Sequence, residues 1–441
     1  MTALPNLQYM EIYSCKDLET LPAWLPRLPS LNKLIIGDCP KFRSWGTEEE
    51  MTALPNLQYM EIYSCKDMET LPAWLPRLPL LNKLIIRDCP KFRSWGTEEE
   101  MTVLPNLQYM IIYSCKDMET LAAWLPRLPS LNKLIIGDCP KFRSWGTEEE
   151  MTALPNLQYM EIYSCKDMET LPAWLSRLPL LNKLIIRDCP KFRSWGIEEE
   201  MTALLNLQYM EIYSCKDLET LPAWLPCLPS LNKLIIGDCP KFRSWGTEEE
   251  VTTLSNLRYM KIYSCKDLET LPAWLPRLPS LNKLIIGDCL KFRSWGTEEE
   301  VTALPNLQYM KIYSCKDLET LPAWLPRLPS LNKLIIGDCP KFRSWGTEEE
   351  MTALPNLQYM RIYSCQDLET LPSWLTRLPS LYKLIIIACR KIHSLPQDNL
   401  PSTLEKLYLI GCERSLIERC QQEGSLEWQM IQHIPHRWYI W

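Results

Sequence analysis

The residues best suited to chemistry in this chain are its nineteen cysteines, and their spacing says what they do. Seventeen recur at one position, alternately 24 and 26 residues apart from Cys15 and Cys39 through to Cys389 and then 23 residues on at Cys412, while Cys227 and Cys420 stand outside the series. Zinc or redox chemistry would need partners that converge. The three histidines, His393, His433 and His436, all lie in the last 50 residues, so the cysteine series has no imidazole beside it. A periodic cysteine reads instead as a small buried residue whose S–H donates weakly to backbone where a strand turns. Disulfides between neighbours are not excluded by distance, since adjacent strands would bring Cα atoms to roughly 4.8 Å. Side chains on such a ladder point the same way instead of toward each other, and a reducing compartment would keep them as thiols. The other recurrent candidate is an acidic triplet, Thr47-Glu48-Glu49-Glu50 and six later copies, one of which has Ile197 in place of the threonine. A metal role is conceivable. The pattern fits a capping box better, with Thr47 accepting from the amide of Glu50 at the start of a short helix that Pro55 stops. These triplets would form an acidic ridge off the main face.

The elements that carry these residues repeat. Leu7, Met10, Ile12, Cys15 and Leu18 follow the frame L-x-x-L-x-L-x-x-N/C-x-L with one extra spacer, and Leu31, Leu34, Ile36, Cys39 and Phe42 repeat it before the block restarts at Met51. Eight 50-residue periods of two units, with one more unit at Leu404, Leu407, Leu409 and Cys412, make about seventeen. The expectation is an α/β solenoid, a leucine-rich-repeat horseshoe with one concave parallel β-sheet over residues 1–412 and a C-terminal cap over 413–441. Between strands, LPAWLPRLPSL carries Pro22, Pro26 and Pro29, which excludes a regular α-helix and predicts an irregular or 3-10 convex side. Trp24 and Trp45 should pack there. Leu416, Trp428, Ile431 and Ile434 are the buried candidates of the cap, which should close the last rung without repeating it.

Alternation assigns the strand faces: Met10, Ile12, Leu34 and Ile36 inward, Tyr9, Glu11, Tyr13, Lys33, Ile35 and Gly37 outward. Ile35 and its copies would form an exposed apolar stripe, as contact surfaces often do, although β-propensity alone could place them there. Because the periods are nearly identical, their differences stand out. One position reads Glu11, Glu61, Ile111, Glu161, Glu211, Lys261, Lys311, Arg361, passing from acidic to basic. Another is glycine in five periods but Arg87, Arg187 and Ile387 in the others. Tyr13, Ile35 and these variable positions are the candidate protein-binding residues. Drift between copied blocks is the competing account, since periods two and four share Leu80/Leu180 as well as Arg87/Arg187.

Composition narrows the function. The chain is 46% hydrophobic and 23% charged with a formal net charge of −6, which gives no sign of nucleic-acid binding. No apolar run reaches the roughly 18 residues of a membrane span. The opening MTALPNLQ lacks the basic start and apolar core of a signal peptide, so a cytoplasmic location is expected. Acids and bases occur only in repeated, solvated positions, so no catalysis, cofactor or metal is expected.

The repeat frame with LPAWLPRLPSL between units, and the ending Glu418-Arg419-Cys420, Trp428, Ile431 and His433-Ile434-Pro435, resemble the leucine-rich-repeat region of plant nucleotide-binding disease-resistance proteins of the coiled-coil type. No G-x-x-x-x-G-K-[ST] motif of their nucleotide-binding module is present. The resemblance implies the recognition region of, or one derived from, an intracellular plant immune receptor in defense. Its partners would be a pathogen effector, a host guard target, or a nucleotide-binding module in cis or trans. The alternatives are a substrate adaptor for ubiquitin ligation or a non-functional receptor fragment.

Overall fold

The computed structural model describes residues 4–46, 54–95, 104–146, 154–196, 204–246, 254–296, 304–346 and 354–440. Packing divides the chain into two compact units, Met1–Leu218 and Glu219–Trp441. The Thr-Glu-Glu-Glu capping boxes and the acidic ridge lie outside the described residues.

The first unit is built on nine parallel strands: β1 (Tyr9–Tyr13), β2 (Lys33–Gly37), β3 (Tyr59–Tyr63), β4 (Lys83–Arg87), β5 (Tyr109–Tyr113), β6 (Lys133–Gly137), β7 (Tyr159–Tyr163), β8 (Lys183–Arg187) and β9 (Tyr209–Tyr213). The second carries β10 (Lys233–Gly237), β11 (Tyr259–Tyr263), β12 (Lys283–Gly287), β13 (Tyr309–Tyr313), β14 (Lys333–Gly337), β15 (Tyr359–Tyr363), β16 (Lys383–Ile387), β17 (Lys406–Ile410) and β18 (His436–Ile440). Helices α1 (Arg414–Gln421) and α2 (Leu426–Ile431) lie between β17 and β18. One short strand per repeat, stacked in parallel, is the leucine-rich-repeat solenoid architecture.

Local chemistry sets the strand length at five residues. Ser64 and Asp88, directly after their strands, have φ of 52° and 54°. That left-handed turn, which Asp tolerates better than most residues, carries the chain out of the sheet. The cysteine that follows dips into the core: Cys89 Sγ donates to the Arg87 carbonyl at 3.3 Å and Cys139 Sγ to the Gly137 carbonyl at 3.2 Å.

The return path follows the prolines. Leu75–Arg77 is a three-residue 3-10 turn, and its counterparts recur. Where the period has Ser176 or Thr376 in place of proline, the turn lengthens to Ala173–Arg177 and Ser373–Arg377, because an N–H is available at that position to continue the bonding. Behind it the aromatic residues close the core. Trp95 is 4% exposed, meets Phe92 edge-on at 5.1 Å and Trp124 edge-on at 5.8 Å, and donates its indole N–H to the Thr120 carbonyl at 2.9 Å. Buried edge-to-face pairs of this kind contribute about 0.5–1.5 kcal/mol beyond area burial.

The tail differs from the expectation of a non-repeating cap. Leu416, Ile431 and Ile434 are buried, but Trp428 is only half-buried. Residues 436–440 extend the sheet as β18, paired in parallel with β17. Its alternation is inverted, which hides it from a hydrophobic reading: Trp438 and Ile440 stand exposed, while Arg437 and Tyr439 are the partly covered positions. Trp438 stacks on Tyr408 at 5.0 Å, and the Arg437 guanidinium donates to the Ile431 carbonyl.

Candidate functional site

Register determines what the outward-facing side chains meet. Within each unit every strand pairs with the next without slippage, so outward residues line up in three rows across the strands. The first row alternates Tyr and Lys: Tyr59 is level with Lys83, and Tyr259, Lys283, Tyr309, Lys333 and Tyr359 follow one another in the second unit. The ammonium groups lie against one or both neighbouring rings. Lys283 Nζ is 5.5 Å from the Tyr259 ring centre and 4.7 Å from that of Tyr309, and Lys333 is 5.5 and 4.7 Å from Tyr309 and Tyr359. These cation–π contacts hold the charge at the surface without neutralising it.

The middle row carries the variable position between isoleucines. The expected exposed stripe is not found. Ile35, Ile185 and Ile335 are buried at 8%, 2% and 9% exposure, and the other members are half-covered. The longer side chains on either side stand above these residues, so they form a floor instead of a projecting stripe.

In the first unit, this row is internally satisfied. Glu11, Glu61 and Glu161 each accept from the tyrosine hydroxyl two residues earlier on the same strand at 2.5 Å, and Glu211 accepts from Tyr209 likewise. Arg87 donates to Glu61 at 2.9 Å and lies over the Tyr63 ring at 4.3 Å. Arg187 bonds Glu211 at 3.0 Å and approaches Glu161 at 3.8 Å. Burial, reinforced by the neighbouring carboxylate, pushes the Tyr59 and Tyr159 phenols well up and that of Tyr209 to about 12. The two arginines that set periods two and four apart therefore face the carboxylates that need them. Ile111 lies level with Ile85 and Ile135, so there the row is locally apolar.

In the second unit, the same positions are cationic. Lys261 Nζ sits 3.8 Å from the Tyr263 ring centre, Lys311 is 4.2 Å from that of Tyr313, and the Arg361 guanidinium is 4.9 Å from Tyr363. Among the described residues, no carboxylate lies within ion-pair distance of Lys261, Lys283, Lys311, Lys333, Arg361 or Lys383. The Arg361 Nε–H is buried and has no acceptor among the described residues. Asp288 and Asp338, at the strand ends, supply the nearby opposite charge.

The third row alternates Tyr with Gly, Arg or Ile. Tyr13, at the start of the first unit, is exposed, with its ring centre 6.3 Å from that of Tyr63. Tyr313 folds over Gly287 and Tyr363 over Gly337, whereas Ile387 lies level with Tyr363 and Ile410. Sequence reasoning placed the tyrosines and Gly37 on this face but missed the fit of a tyrosine ring, that of Tyr63, over Gly37. The only signal was that glycine alternates with tyrosine across the rungs.

The flank is charged but paired. Lys91 meets Asp67 at 2.7 Å and Arg93 meets Glu69, and several later periods repeat one or both pairs. Such exposed pairs each contribute about 0–1 kcal/mol and leave little free charge there. Among the described residues, no group of three metal-ligating side chains occurs, and no helix is long and apolar enough to cross a membrane.

The sequence model of the family described as plant disease resistance protein RPS2-like, leucine-rich repeats, matches residues 240–390. No curated protein matches the chain. Among solved structures, the leucine-rich repeat domain of the type III effector XopL aligns over 52% of this chain and 76% of its own at 20% identity, with a TM-score of 0.42. A leucine-rich repeat protein from Bacteroides thetaiotaomicron aligns over 88% of this chain and 51% of its own, at 15% identity and a TM-score of 0.45. The receptor in a TLR13–ssRNA13 complex aligns over 93% and 74%, at 14% identity and 0.34.

Proposed function

We propose that this chain is a non-catalytic, cytoplasmic protein-recognition domain of, or derived from, a plant immune receptor, and that it engages an acidic protein partner through the outward face of strands β11 to β16. The observation that carries this reading is the set of six cations there, Lys261, Lys283, Lys311, Lys333, Arg361 and Lys383, which have no carboxylate partner among the described residues. Cations held over aromatic rings in a row sum their field over several rungs, so an acidic surface is both steered toward them and bound by them. The family match over residues 240–390, which includes these strands, supports the immune-receptor part of the reading.

The test is site-specific photocrosslinking in plant cells, with the probe at position 311 on the face and, for comparison, at position 341, whose lysine is paired with Asp317 on the flank. A protein captured from 311 and lost on K261E/R361E reversal in the chain that carries the probe is the expected result. Capture from 341 alone would move recognition to the flank and overturn the proposal.

A further inference from the structure

We propose that the ligand of this face is an extended acidic peptide in the polyproline II conformation, with a carboxylate at every third residue, lying across the strands along the row Lys261, Lys311, Arg361. The inference rests on the recognition role above and adds the chemistry and register of what is recognised.

Spacing is the first argument. Lys261, Lys311 and Arg361 occupy β11, β13 and β15, every second strand, and the intervening partners in register are Ile285 and Ile335. Two strand spacings are roughly 9.6 Å. A polyproline II helix has three residues per turn and rises about 3.1 Å per residue, so one face recurs about every 9.3 Å. The mismatch is about 0.6 Å over two turns, within the reach of a lysine stem. A β-strand ligand presents one face about every 6.7 Å and falls out of step by the second cation. An α-helix returns to the same face after seven residues, at about 10.5 Å, and accumulates an error of nearly 2 Å over the same span.

The surroundings make the same choice. Between the cations lie half-covered Ile285 and buried Ile335, flanked by one row of tyrosines and lysines and by Tyr263, Tyr313 and Tyr363 on the other side. An aromatic-lined trough with an apolar floor suits the prolines of such a peptide, whose conformation is already ordered before binding. The ligand also supplies what the site lacks. The Arg361 Nε–H has no acceptor, and none of the three cations has a carboxylate partner among the described residues. In the first unit, by contrast, Arg87 and Arg187 already hold glutamates, so the equivalent row is not free to take such a ligand.

The experiment compares two fluorescein-labelled peptides of identical composition on the unmodified full chain by fluorescence anisotropy: Glu-Pro-Pro repeated four times, and an isomer with all four glutamates together followed by the eight prolines. The periodic peptide should bind at least about tenfold tighter, a difference of about 1.4 kcal/mol. Its affinity should fall with added salt and drop at least tenfold in K261E/K311E/R361E, while R87E/R187E leaves it unchanged. Equal affinities for the two isomers would show attraction by charge alone and overturn the register. Tighter binding of a helical peptide with glutamate at every seventh residue would overturn the conformation, and tighter binding of a single-stranded oligouridylate would overturn the peptide class. The isomer comparison needs no variant, so misfolding of the triple reversal cannot obscure the result. If the isomers bind alike while position 311 still crosslinks a protein, this inference fails and the recognition role stands.

Discussion

The ring of Tyr63 lies directly on the backbone of Gly37, one rung away: a Cβ at Gly37 would fall 2.1 Å from Tyr63 Cζ. The same relation holds between Gly287 and Tyr313, where the distance would be 2.0 Å. Glycine is needed there for the ring and not for the backbone, since the same position holds Arg87 and Arg187 in strands of the same length and register. Gly287→Ala should therefore displace the Tyr313 ring while changing stability by less than about 1 kcal/mol, the lower entropy of the unfolded chain offsetting part of the disturbance. Denaturant midpoints together with the ring resonances of Tyr313 check this. A loss well beyond that size would mean the backbone itself requires glycine.

The outward tyrosines predict a two-stage alkaline titration. Burial pushes Tyr163 and Tyr313 to about 12, and burial with the Glu211 bond does the same for Tyr209, against about 10 for a free phenol. A raised folded value means that the folded state holds the proton more tightly. The associated stability is complete below about pH 10 and is lost as pH rises through about 12. Phenolate absorbance should thus show a late phase that moves to about 10 in denaturant, and Glu211→Gln should shift Tyr209 downward. A single phase near 10 in the native protein would contradict the packing of these rings.

Thiol reactivity should divide the cysteines sharply. Cys15 and Cys227 are exposed and the other seventeen are buried. Burial also pushes Cys39 up to about 11 and Cys412 and Cys420 to about 12, which lowers their thiolate fraction at neutral pH. Under native conditions, two thiols should react quickly with an aromatic disulfide reagent and the rest only on unfolding. Cys227→Ser should remove one of the fast pair. Additional fast thiols would place ladder cysteines at the surface.

Trp145 tests the aromatic spine. It is 3% exposed, meets Phe142 at 5.0 Å and Trp174 at 5.8 Å, and donates to the Thr170 carbonyl at 2.8 Å. Trp145→Ala should cost about 3–5 kcal/mol by opening a cavity. Because repeat arrays open locally, hydrogen exchange of the amides in 160–180 is the appropriate measurement. No change in protection there would mean the spine contributes little.

The start of α1 should weaken in acid. The Glu413 side chain accepts from the Leu416 amide at 3.2 Å and from the Ser415 hydroxyl, and these bonds, the Ser415 one foremost, hold its carboxyl below the usual range. A lowered folded value means that the stabilisation is present above the ordinary glutamate range and is lost as pH falls through the depressed value. Amide protection in 414–421 should decline in acid for the native chain and lose this pH dependence in Glu413→Gln. Identical acid profiles for the two would remove Glu413 from the cap.

What the sequence determined by itself is everything that depends on neighbours along the chain. Strand positions, the inward set of Met60, Ile62, Leu84 and Ile86, and the 3-10 return between prolines follow from period-two alternation and from proline's missing N–H. The charge change from Glu11 to Arg361 was equally readable, because near-identical blocks expose their own differences. What only the tertiary structure decided are relations between residues 24 to 30 positions apart. Arg87 finding Glu61, Tyr63 covering Gly37, the isoleucines sinking to a floor, and β18 joining β17 all depend on the lateral register of parallel strands. Side chains standing on adjacent strands roughly 4.8 Å apart choose their partners across the sheet, so composition along one strand does not say whether a charge there is spent internally or left free for a ligand.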